Sequence, residues 1–288
     1  MPLNFDSESD ASPTKSPRGA AASPARPAGK RATVVVATDA GAIPATCVDG
    51  LPTLVYWNIC GLGQAARYAL EAAGVDYADV RIDAGAADAA EYKKLWLDDA
   101  KPRVDRDCKA LDFPNLPYYL EEPLGVTRSN GMGVTVDGLG ALSQSNTILK
   151  HLGRAHGLLG DSPERVDLFL DEATDLDNAI TGKCYRDAAS LKPYFESELP
   201  AKLARWEKCL GDKTFLAGAS LTVADCKAYE VFRKIRRLDA HLGTSALPGA
   251  LAAYCGRFEA HPAIAVYLAG PNYLERPFNN PHAQFSGA

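Results

Sequence analysis

The chain has 288 residues, 47% of them apolar and 23% charged, a balance that suits a folded globular protein. Its net charge of -5 and pI near 5.6 speak against a nucleic-acid footprint, which needs a basic patch. No run approaches the roughly 18 apolar residues of a membrane span, and neither membrane nor nucleic acid is expected as a partner.

Residues from Met1 to about Ala32 are rich in Ser, Pro, Ala, Arg and Lys and poor in large apolar side chains. Such a segment cannot bury enough surface to offset its ordering entropy, so residues 1–50 read as a disordered extension. Within it, Thr33-Val34-Val35-Val36-Ala37 fits either an extra strand or an extended arm. The start lacks the apolar core of a secretory signal, and Asp6, Glu8 and Asp10 count against a transit peptide. Seven cysteines without a Cys-x-x-Cys spacing form no disulfide framework; reduced thiols in the cytoplasm are the simpler reading. The histidines at 151, 156, 241, 261 and 282 adjoin no metal-type cluster, so no metal is expected.

From Leu51 the signals turn regular. Thr53-Leu54-Val55-Tyr56-Trp57 is a short apolar run, Asn58 to Leu62 a Gly-containing turn, and Gln64 to Leu70 a helical stretch. This strand, turn and helix leave the Tyr56 hydroxyl at the strand's end, where open α/β sheets hold their ligands. Val75 to Ile82 partly alternates and gives a second, parallel strand. Ala84 to Phe113 reads as loop-rich around Leu95-Trp96-Leu97, and Leu116 to Leu120 starts a third strand. The Gly-rich excursion from Glu121 to Val136 reads as an exposed loop or a hairpin extension. Asp137-Gly138 is a hairpin-turn signal before a short strand at Leu139 to Leu142.

Ser143 to Leu149 opens a helix with small polar residues at its cap. Past Gly160 the pattern is helical throughout. Ser162-Pro163 starts one helix, with Val166, Phe169, Leu170, Ala173, Leu176 and Ile180 on its apolar stripe. Leu199, Leu203, Trp206 and Leu210 form another stripe. Thr222-Val223-Ala224-Asp225 begins a third helix in the manner of a capping box, continued by Val231, Phe232, Ile235 and Leu238. The order predicts an α/β domain over 51–157 and an all-helical domain over 163–288.

Four segments together resemble the cytosolic glutathione transferases, most of all their mu class: Tyr56-Trp57-Asn58-Ile59 with Gly61-Leu62; Leu111 to Tyr118; Gln144 to Leu149; and Phe215-Leu216-Ala217-Gly218 with Leu221 to Asp225. The resemblance runs from about Leu51 to Phe278. It implies a thioredoxin-like N-terminal domain, an all-α C-terminal domain and a homodimer that conjugates glutathione, as co-substrate, to hydrophobic electrophiles. In it, Tyr56 donates a hydrogen bond to the glutathione thiolate; otherwise it caps a strand. Asn115-Leu116-Pro117 resembles the cis-proline turn that pairs with the tripeptide, and Gln144-Ser145 the helix start that takes its γ-glutamyl carboxylate. Trp57, Leu62 and Trp96 match positions lining the glutathione pocket, although Trp96 also fits a core aromatic. Lys101 would add a cation, or else is an exposed lysine. Asp177 would reach across the dimer to the ligand's amino group, or else lies on a helix surface. Tyr185 falls where mu-like enzymes present a second tyrosine to the electrophile. Cys60 departs from the pattern and suggests, as an alternative, a thiol transferase or isomerase, since a helix N-terminus lowers a thiol pKa. A noncatalytic binding or scaffold protein of the same fold is the other alternative.

Overall fold

The computed structural model describes residues 32–85, 93–122 and 140–287, with the backbone of 128–129 and 135–136. Strand β1 is Ala32–Ala37, β2 is Thr53–Trp57 and, after helix α1 at Gln64–Ala73, β3 is Tyr77–Ile82. A π-helical segment at Leu95–Ala100 runs into α2, Lys101–Asp107. Then come β4 at Tyr118–Leu120, the short pair β5 at Arg128–Ser129 and β6 at Thr135–Val136, and β7 at Ala141–Ser143. Five strands form one sheet in the order β1-β3-β2-β4-β7, while β5 and β6 pair with each other. β2 and β3 are parallel, and β2, β4 and β7 run antiparallel in succession.

β2 is buried along its whole length because neighbours flank it on both sides. A continuous apolar run is what such a central strand requires. On one face, Leu54 and Tyr119 pack with α1 and the helical domain. On the other, Val55 and Trp57 pack with Val80, Ile82, Trp96, Leu111 and Tyr118, a cluster that Tyr56 joins at the strand's end. In the excursion after Glu121, β5 and β6 pair antiparallel; the remainder, and the Asp137-Gly138 signal after it, lie outside the described residues.

Two expectations need correction. Residues 32–50 are not disordered. β1 pairs in parallel with β3 from Ala32↔Tyr77 to Ala37↔Ile82, and the chain then folds under the sheet. There the Arg103 guanidinium donates to the Ala40 carbonyl at 2.6 Å and also to that of Ile43, and the Tyr118 hydroxyl donates to the Pro44 carbonyl at 2.6 Å. Ile43 is fully buried. The α/β domain therefore begins at Ala32. Secondly, the stretch read as loop-rich carries the π-helical segment and α2, with Ala100 and Val104 as its buried anchors.

The second domain follows helix α3, Ser145–His156. It comprises α4 at Pro163–Arg186, α5 at Leu191–Ser197, α6 at Leu199–Leu210, α7 at Val223–Leu242, α8 at Gly249–Glu259 and α9 at Pro262–Ala269. The apolar stripes expected from spacing are all buried. At the start of α7, Asp225 accepts from the Thr222 amide (2.8 Å) and hydroxyl (2.7 Å), from the Leu216 amide (2.9 Å) and from the Tyr254 hydroxyl (2.9 Å). One carboxylate thus joins the 215–218 turn, the α7 cap and α8. After α9, residues 271–287 turn back across the junction of the two domains. The Pro277 and Phe278 carbonyls accept from the Cys60 and Gly61 amides at 2.8 and 3.1 Å.

Candidate active site

Tyr56 stands on β2 beneath the turn that leads into α1. Its hydroxyl oxygen accepts from the Leu62 amide at 3.0 Å, which fixes the phenol while leaving its proton for a ligand. Burial pushes the phenol's pKa well above its ordinary value, with the Leu62 hydrogen bond opposing, so the group stays a neutral donor. The turn can lie this close only because glycines form it. A Cβ on Gly61, whose φ is +38°, would stand 2.6 Å from the Tyr56 hydroxyl, and one on Gly63 would stand 2.6 Å from the ring.

Tyr56, Trp57 and Leu62 line a cleft of about 240 Å³ together with Asp177 and Tyr185 from α4, Lys234 from α7, and the tail residues Phe278, Asn279 and Asn280. The Tyr185 hydroxyl accepts from the Asn280 amide at 3.0 Å. Three further expected residues, Lys101, Asn115 and Gln144, line a second cleft of about 530 Å³. Leu116 and Pro117 join through a cis peptide bond, and Leu116 is buried in the same cluster as Tyr56 and Trp57. Gln144 holds φ at +72°, an unusual value for a residue with a side chain, and caps α3 without a side-chain hydrogen bond. The first amides of α3, beginning at Ser145, therefore lack a side-chain cap, the arrangement that favours an anion.

Two expected residues have surroundings of their own. Trp96 is a core residue, 2% exposed and stacked on Tyr118 at 6.0 Å between ring centres. Asp177 is not on a helix surface. It is buried in the cleft of its own chain, where its Oδ1 takes the Lys234 ammonium at 2.5 Å.

Comparison with known proteins identifies the family and the fold. A family model described as "Glutathione S-transferase, C-terminal domain" matches residues 174–271. The human protein named Glutathione S-transferase Mu 3 is 34% identical over 237 residues, covering 81% of this chain and 94% of that one. The chain belongs to the glutathione S-transferase family. Mouse Glutathione S-transferase Mu 5 is 33% identical with the same coverage. Among solved structures, the Pi-class glutathione S-transferase of Onchocerca volvulus superposes with a TM-score of 0.62 at 24% identity, over 81% of this chain and 99% of that one. The thioredoxin-like domain followed by an all-α domain is thus the transferase fold, and β1 adds an outer strand to its sheet.

Glutathione is the co-substrate of this family. The described residues hold no group of three His, Cys, Asp or Glu side chains placed for a metal ion, and no helix among them is long and apolar enough to cross a membrane.

Several residues at the site were not anticipated: Asn178, Thr181, Lys234 and the tail at 278–280. Lys234 had a signal. It sits one residue before Ile235 and three after Val231, inside an apolar stripe, just as Asp177 sits beside Leu176. A charge on a buried face asks for a partner.

Cys60 does not behave as a helix-end thiol. It is fully buried; its Sγ donates to the Leu274 carbonyl at 3.3 Å and accepts from Arg233 at 3.2 Å. Burial, and then the charge of Glu230, push its pKa up to about 11 against the pull of Arg233. At pH 8 an alkylating reagent should therefore label the exposed Cys209 and leave Cys60 untouched until the protein unfolds, as read by peptide mass spectrometry. Equal labelling of the two would restore the thiol-transfer reading.

Proposed function

We propose that this chain conjugates glutathione to electrophiles by holding the tripeptide between the two clefts. In this reading its sulfur lies at Tyr56 and its γ-glutamyl carboxylate at the start of α3. The observation that carries it is the Tyr56 phenol, buried and neutral, with its oxygen already engaged by the Leu62 amide. The phenol's remaining bond is a donor, and a donor favours the charged form of the sulfur it meets.

Asn115 and the cis Leu116–Pro117 turn flank the tripeptide's backbone in this reading, and Lys101 supplies a cation at the carboxylate end. Trp57 and Leu62 wall the sulfur end, while Tyr185 faces the electrophile. We place the protein in the cytoplasm as a homodimer, the arrangement the family resemblance implies. A noncatalytic scaffold would have no use for a phenol poised in this way.

The test is turnover of an aryl halide with glutathione, measured beside retention on immobilised glutathione. Both are expected. Retention without turnover would leave a binding protein, and loss of both would remove the reading.

A further inference from the structure

The wall facing Tyr56 is not the apolar surface that a cleft for hydrophobic electrophiles calls for. Asp177, Asn178, Thr181, Lys234, Asn279 and Asn280 supply most of it. At its centre the Lys234 ammonium joins Asp177 Oδ1 at 2.5 Å and Thr181 Oγ1 at 2.9 Å. The Lys234 and Asp177 side chains are 3% and 9% exposed. Burying such a pair costs desolvation free energy that a well-packed apolar pair of similar volume would not. Both members remain charged. Burial pushes the Asp177 pKa up, but Lys234 outweighs this and holds it below the ordinary carboxylate value. Asp177 in turn holds Lys234 above its own ordinary value against burial.

An ammonium has three N–H donors, and two are used here. The third is left for whatever enters the cleft. A second donor lines the same cleft, because the Tyr185 hydroxyl accepts from the Asn280 amide and its O–H remains to donate. Asn280 itself is 4% exposed, and its Oδ1 is buried without a hydrogen-bond partner. A buried acceptor left open in a cleft is costly unless a ligand completes it.

Resting on the reading of Tyr56 given above, we propose that Lys234 is a catalytic residue for electrophiles whose reacting carbon is conjugated to an oxygen, above all α,β-unsaturated carbonyl compounds. Its ammonium donates to the oxygen on which charge collects. The glutathione sulfur attacks the β-carbon, a C–S bond forms, and the C=C π pair shifts so that the carbonyl oxygen becomes an enolate oxygen. The thiol proton has already passed to solvent, and solvent returns a proton to the α-carbon. The sum is addition of the thiol across the double bond, with no change of oxidation state overall and no leaving group. A preorganised donor aimed at an oxygen that becomes negative in the transition state is the arrangement that accelerates such a step most. Tyr185 shares the oxygen, and Asn280 Oδ1 accepts from a hydroxyl or N–H on the same substrate.

The experiment compares kcat/KM for a 2-alkenal with kcat/KM for a benzyl halide, whose displacement builds no charge on oxygen. It uses the full-length protein, Lys234→Met, and the pair Lys234→Met with Asp177→Asn. The double variant avoids leaving a carboxylate buried without its cation, and urea unfolding verifies that it folds. The alkenal-to-halide ratio is expected to fall tenfold or more in both variants, less than the roughly hundredfold minimum for losing a sole oxyanion donor because Tyr185 still shares the oxygen, and to recover in part in Lys234→Arg. A ratio within twofold of the parent's in the folded double variant would overturn the proposal. So would a parent that forms glutathione thiolate and leaves the alkenal unreacted. A parent that shows no thiolate absorbance on bound glutathione would remove the Tyr56 reading, and the proposal with it.

Discussion

Tyr56→Phe is expected to lower kcat/KM for glutathione conjugation about a hundredfold near pH 7. A thiol of ordinary pKa near 8.5 is mostly protonated there. Lowering that pKa by about two units takes ~2.7 kcal/mol of preference for the charged form, within reach of a charge-assisted bond from a buried donor. The Tyr56 phenol can give that bond because burial keeps it protonated and the Leu62 amide holds its oxygen in place at 3.0 Å. Phenylalanine keeps the ring that Gly61 and Gly63 accommodate and removes only the donor. The pH profile carries the sign. In the parent, the rate should rise through a midpoint below that of free glutathione; in Tyr56→Phe that limb should move up toward about 8.5. The two enzymes should therefore converge in alkaline solution, where the thiol ionises unaided. Ultraviolet thiolate absorbance of the bound tripeptide reads the same shift directly. Superimposable profiles would dismiss the phenol from the chemistry.

Asp79→Asn is expected to cost about 3–5 kcal/mol of stability, the usual consequence of removing one side of a buried ion pair. The Asp79 carboxylate, fully buried on β3, takes Arg67 Nε at 3.1 and 2.9 Å and Arg81 Nε at 2.7 Å. Burial works against the charge on Arg67, and Asp79 reverses this and raises its pKa. Without the carboxylate, two guanidinium groups would remain inside with nothing to balance them. Arg67 also donates from Nη1 to the Ile59 carbonyl at 3.1 Å and to Gln64 Oε1 at 3.2 Å, so it braces the turn that presents the Leu62 amide to Tyr56. A drop in the urea midpoint at constant m value would register the loss. In whatever fraction folds, glutathione affinity should fall as well. A change under about 1 kcal/mol would mean that the triad contributes little.

The sequence disclosed the parts of this molecule that depend on local pattern. Central strand β2 is buried on both faces, so its residues form an unbroken apolar run; the glycines after it and the start of α1 follow from turn and helix chemistry. The stripe of α4 and the cap at Thr222 were legible for the same reason. What stayed hidden depends on partners distant in the chain. Thr33–Ala37 is a strand only because the edge of β3 is open to receive it. Nothing in the surrounding Ala, Ser and Pro could say so. Trp96 fitted either the pocket or the core because its segment folds into the π-helical turn and α2, whose buried anchors, Ala100 and Val104, are too sparse to announce a helix. Asp177 and Lys234 each interrupt an apolar face, but that they meet, and meet beside Tyr56, is a property of the packing between α4 and α7. For Cys60, the proximity of a helix start was visible, whereas the burial that dominates its chemistry was not.

The outer strand also ties the ends of the described chain together. Asn272, beyond α9, donates from its side chain to the Ala32 carbonyl at 2.8 Å, and its own carbonyl accepts from Arg81 at 2.6 Å. The segment after the last helix is thus sewn to the free margin of the opposite domain, on the far side from the α3 crossover. Two covalently consecutive modules become a closed loop of contacts, in which neither can open without tearing the other's seam. Heat or denaturant should therefore meet a single cooperative unit, with catalytic competence and global structure vanishing in one transition.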